Sequence, residues 1–226
     1  MDRSAPYYAP KPMDLGAESP GSYRSASAIT RVLQVLLWTT VVAAAYMLFT
    51  EYEQIQLLAR LETGDVTLEE IDRNDATVGL AVVAYAAALC SAGICFFVWF
   101  SRSNKNARAL GAEAMEFGPN AWGWFFCPLL NLWKPYQAVT ELFVSSQDVR
   151  RATMPGTIFI AWWAAWVLAQ VGGRASAKMM ESDTIGTITT GAWVSALSSI
   201  AMIAAGVWCI RVVSSIQAEQ DRRFGH

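Results

Sequence analysis

Histidine is almost missing from this sequence. The one copy, His226, is the last residue. Imidazole chemistry inside the chain is thereby excluded: a serine–histidine pair, an HExxH zinc motif and a histidine-ligated haem all need a residue that is not there. Charge is scarce as well, at 16% of 226 residues, against about 25% in a soluble domain. No lysine falls inside an expected span, and no run carries a GxSG motif or paired aspartates. With these groups lacking, an enzyme is not expected. The four cysteines, Cys90, Cys95, Cys127 and Cys209, sit in apolar surroundings without a CxxC pair. They read as small buried hydrophobes and speak against a disulfide framework or a zinc site. No metal and no cofactor is expected.

What the chain does have is hydrophobic length. Hydrophobic residues make up 54% of it, and the mean hydropathy is +0.29. The fold class that follows is an all-α integral membrane protein. Four transmembrane helices are expected, at about 29–49, 76–100, 155–171 and 184–210, set against the roughly 20 apolar residues that a crossing needs. Residues 1–27 carry Pro6, Pro10, Pro12 and Pro20 without periodicity, and are expected as a disordered cytoplasmic tail. The membrane domain then covers 28–215, and 216–226 form a cytoplasmic C-terminal end. Past the first span, Tyr52, Ile55, Leu58 and Leu61 continue an amphipathic helix to a stop at Gly64–Asp65. Thr67 with Glu70 fits a capping box opening another short turn. The acids of 51–75, Glu51 among them, read as a solvated face, since no calcium-loop spacing accompanies them. Small residues recur four apart at Ala84, Ala88 and Ala92, at Ala161, Ala165, Ala169 and Gly173, and at Gly191, Ser195 and Ser199. Such stripes let helix backbones approach, and their hydroxyls can bond a neighbouring helix.

Lysine and arginine are unevenly distributed. Thirteen lie in the N-terminal tail, the 101–154 connection and the C-terminal end; four lie in the other two loops. The positive-inside rule puts both termini and the connection in the cytoplasm. Arg102, Lys105 and Arg108 follow the second span directly and are expected to meet anionic headgroups.

The run Phe117–Phe143 is apolar yet unlike a plain span. Its stretch Asn120–Trp133 would make about 21 Å of helix against a hydrocarbon core of about 30 Å. Pro128 breaks it, because proline lacks an N–H and crowds the preceding turn. Pro135 restarts a helix. The insertion 117–146 is therefore a Trp/Pro-rich interfacial or re-entrant helical segment between spans 2 and 3. In the first geometry Trp122, Trp124 and Trp133 sit at headgroup level. In the second the break dips among the spans and faces protein or water. The candidate ligand or partner contacts are Trp122, Trp124, Asn131, Trp133, Lys134, Tyr136 and Gln137.

NARALGA at 106–112 and FGPNAWGWFFCPLLNLWKPYQAVTEL at 117–142, in a four-span arrangement, resemble the bacterial membrane family called domain of unknown function 4328. The likeness covers roughly residues 29–220, and its most specific part is Pro128, Asn131, Leu132, Trp133, Lys134, Pro135, Tyr136 and Gln137. The resemblance implies a multi-pass protein of the bacterial cytoplasmic (inner) membrane and brings no assigned activity. The function expected is that of a non-catalytic accessory or assembly subunit of a membrane complex. Its expected partners are membrane lipids and other membrane subunits, with no nucleic acid. The alternative is a small transporter, channel or lipid-binding protein built around the Pro128–Pro135 break.

Overall fold

The computed structural model describes residues 23–112, 114–127, 129–148 and 153–225. The expectations for residues 1–22, Pro128 and His226 fall outside them. Every regular element among the described residues is helical. The order is α1 (Ser27–Thr63), α2 (Leu68–Ala109), two 3₁₀ turns (Ala121–Phe126 and Leu130–Leu132), α3 (Lys134–Ser146), α4 (Thr157–Met180) and α5 (Ile185–Phe224). Three helices, α1, α2 and α5, are long and apolar enough to cross a membrane. In α4 the aliphatic residues are diluted by Trp162, Trp163, Trp166, Gln170 and Arg174.

Local chemistry sets the helix ends. α1 stops at Gly64, whose φ of 75° suits a residue without Cβ. The Asp65 N–H then closes back on the Arg60 carbonyl at 3.3 Å, a Schellman-type end. The capping box forms, but it opens the whole of α2 and not a separate short turn: the Thr67 N–H donates to Glu70 Oε2 at 2.9 Å, and the Glu70 N–H donates to Thr67 Oγ1 at 3.3 Å. Its far end repeats the Schellman pattern, with Gly111 at φ 97° and the Ala112 N–H on the Ala107 carbonyl. Pro135 stands in the first turn of α3, where no intrahelical N–H is missed.

The chain forms two compact units. Val35–Ala92 and Ala161–Cys209 make one; the described residues up to Gln34, Gly93–Ile160 and Ile210 onward make the other. In the first, four helices share an apolar centre: Ala44, Ala169 and Met202, with Tyr85 and Trp166 packed on it. Small residues bring the backbones together, though not always those expected. Along Val35–Ala92 the buried alanines of α2 are Ala81, Ala88 and Ala92, while Ala84 is exposed. A four-residue spacing slips off one face of a helix of 3.6 residues per turn. On α4 the close approach is at Gly172, not Gly173: a Cβ there would lie 2.2 Å from Ser198 Oγ, whereas Gly173 has open space. The third stripe bonds across through Ser195, whose hydroxyl donates to Glu51 of α1 at 2.5 Å, while the Gly191 carbonyl accepts from Ser176 Oγ of α4 at 2.9 Å.

Two further expectations are corrected. Glu51 is on no solvated face. It is 3% exposed and accepts a 2.5 Å hydrogen bond from Ser195 Oγ. The cysteines are not uniformly buried: Cys209 is, Cys95 and Cys127 are half-buried, and Cys90 is exposed.

Candidate functional site

The second unit is built on a polar framework carried by helix ends. Ser101, Asn104 and Arg108 lie on one face of α2 at spacings of three and four. All three reach the loop that follows. Ser101 Oγ donates to the Pro119 carbonyl at 2.6 Å, Asn104 Nδ2 to the Phe117 carbonyl at 2.9 Å, and Arg108 to the carbonyls of Met115 and Phe117. From α3, Glu141 reaches the same loop. Its two oxygens accept the backbone N–H groups of Glu116 at 2.6 Å and Phe117 at 2.8 Å. Burial pushes this carboxyl above its ordinary value of 4.5, and the two N–H donors pull the other way. α5 closes the framework. Gln220 donates to the Ser103 carbonyl at 2.8 Å and to Ser146 Oγ at 2.9 Å. Arg223 donates to the carbonyls of Ser145, Gln147 and Leu110. Near the other end of the described chain, Tyr23 Oη donates to Asp221 at 3.0 Å, and its ring stacks on Phe224 at 4.0 Å.

The insertion hangs on this framework. Trp122 stacks on Phe97 of α2 at 5.2 Å, and Phe125 meets Phe96 edge-on at 5.8 Å. Offset and edge-to-face pairs of this kind suit the ring quadrupole. Trp124 and Lys134 line one pocket of about 570 Å³, together with Glu116, Phe117, Pro119 and Cys127. Lys134 Nζ sits 5.1 Å above the Phe117 ring and 3.5 Å from Glu116. The other sequence candidates are not gathered there. Trp133 and Gln137 are exposed and Tyr136 is half-buried. Asn131 buries an Oδ1 that has no hydrogen-bond partner among the described residues. Of the three headgroup candidates, Lys105 is exposed, Arg102 half-buried, and Arg108 spends its guanidinium on the loop carbonyls.

Sequence reading missed Glu141, Gln220 and Arg223 as framework residues. A helical signal was present for the first: Ala138, Glu141, Leu142 and Ser145 share a face of α3, and all four are buried.

Together these features define a helical protein with three helices able to cross a membrane and a polar framework that fixes a Trp-rich insertion. The chain belongs to the family Domain of unknown function (DUF4328), whose profile matches residues 62–218. That match takes in α2, the insertion, α3, α4 and most of α5. No curated protein and no solved structure matched it.

Proposed function

We propose that this is a non-catalytic accessory or assembly protein of the bacterial cytoplasmic membrane. In this reading α1, α2, α4 and α5 all cross, and both termini face the cytoplasm. The charge distribution supports that orientation, since thirteen of seventeen basic residues fall in segments it places inside. The observation that carries the reading is the construction of the insertion. Its backbone is pinned by Glu141 and Arg108, yet Phe126, Leu129, Leu132 and Trp133 are 68%, 75%, 47% and 44% exposed. Large apolar groups held outward from a fixed polar base suit the headgroup–acyl boundary of the cytoplasmic leaflet. The insertion then anchors the chain at that boundary and leaves outward helix faces free for neighbouring subunits.

The test is isolation of the tagged chain from its native membrane in a mild detergent. The expected result is reproducible recovery of the same membrane partners. Exchange of Phe126, Leu129 and Leu132 for serine is expected to weaken that recovery. A strictly monomeric, partner-free protein would overturn the reading. A second reading, solute or lipid binding beside the Pro128–Pro135 segment, draws support from the pocket that Trp124 and Lys134 share. Bound phosphate-headgroup density at Lys134 would favour it.

A further inference from the structure

A different feature lies in the unit made of Val35–Ala92 and Ala161–Cys209. Glu51 lines a cavity of about 470 Å³, with Tyr85, Ser176, Met180, Ser195 and Ser198 among its walls. The carboxylate is 3% exposed. Oε1 takes the Ser195 hydroxyl, while Oε2 is buried without a hydrogen-bond partner among the described residues. No lysine, arginine or histidine is among the residues lining the cavity. A buried carboxylate without a countercharge or full hydrogen bonding is costly.

The hydroxyls make the preference sharper. Ser195 gives its proton to Glu51, Ser176 to the Gly191 carbonyl and Ser198 to the Val194 carbonyl. Each oxygen is thereby left to the cavity as an acceptor. Beside the Gln54 amide and the Tyr85 and Ser199 hydroxyls, the wall offers one negative group and these three acceptors with no cationic side chain, which suits a ligand with positive N–H or C–H groups. Size separates the candidates. A water takes about 30 Å³, so the space far exceeds a bare ion and falls within the roughly 300–1,000 Å³ usual for small-molecule sites. The described residues also hold no group of three His, Cys, Asp or Glu placed to bind a metal ion. An aromatic face from Tyr85 and the apolar Met180 suit a short alkyl chain and its charged head.

We infer that Glu51 and this cavity form a binding site for a small organic cation of the alkylammonium type. Nothing in the accessory role requires such a site, and either can fail without the other.

The full chain, purified in detergent, would be titrated by calorimetry with butylammonium, with butanol as the neutral counterpart, and with sodium and potassium. Butylammonium is expected to bind and butanol not. Glu51→Gln keeps the shape and removes the charge; loss of a charge-assisted bond predicts binding weaker by about tenfold or more. Ser199→Leu leaves the Glu51–Ser195 pair intact and narrows the space. It is expected to weaken butylammonium binding as well, which keeps the inference testable should Glu51→Gln misfold. Equal binding of butanol, or butylammonium binding untouched by both variants, would overturn the site. So would binding of sodium or potassium alone, or of none of the probes.

Discussion

At Glu141 a buried carboxylate is held by two amide protons, one on each oxygen. Glutamine in its place can accept only one of them and turns an N–H toward the other. An unsatisfied buried donor costs about 1–3 kcal/mol, so Glu141→Gln is expected to lower unfolding stability by that order in a denaturant titration. The pH response follows from the raised carboxyl. Below the ordinary value near 4.5, folded and unfolded forms are both protonated. As pH rises past it, the unfolded form ionises first, so this group's contribution to stability falls until the folded carboxyl ionises too. The variant should lose that fall while keeping the rest of the profile. Gly172 makes the opposite demand, for empty space. A methyl there meets Ser198 Oγ at 2.2 Å, and the next atom, Ser198 Cβ, stands at an ordinary 3.5 Å. Gly172→Ala should therefore destabilise by about 1–3 kcal/mol, as overpacking does. Ser198→Ala added to it should recover most of the loss. Thermal melts of the single and double variants check the coupling.

The elements differ in how far their sequences reveal them. The stop of α1 at Gly64 and the capping box of Thr67 with Glu70 were readable because their chemistry is local, although the box opens the whole of α2 and not a short turn. The restart at Pro135 was readable for the same reason. Buried charge was not. Glu51 and Ser195 are 144 positions apart, and an acid that opens an acidic loop reads as solvent-facing with its neighbours until the partner is seen. The face of α2 was misread because alanines on neighbouring faces look alike in sequence. α5 shows a further long-range dependence, since Arg223 satisfies three carbonyls near the insertion. Arg223→Ala is expected to raise amide exchange and limited proteolysis across 110–112, 114–116 and 144–148. The effect should be much weaker in Val35–Ala92 and Ala161–Cys209, the unit that does not contain this framework. Uniform change along the chain would contradict that assignment.

At the scale of the molecule, the proposed topology makes an accessible distinction. Reporter fusions at either terminus should give a cytoplasmic signal. A tag inserted at Asp65, beyond the Gly64 turn, should be reached only from the opposite side. An outside C-terminus would remove one crossing and undo the four-span reading. The interior of α1 carries a second whole-chain property. Thr30, Leu37, Ala44, Glu51 and Leu58 are spaced by seven, and all five are buried. Glu51 is thus placed by helical phase, shared with residues about two turns away on either side. One extra residue inserted after Tyr46 would turn everything beyond it by about 100° relative to what precedes. An insertion of seven would bring the face back to within about 20°. α1 should accordingly accept altered side chains at exposed positions such as Val42 far better than an altered length, with the seven-residue insertion partly restoring what a single inserted residue destroys.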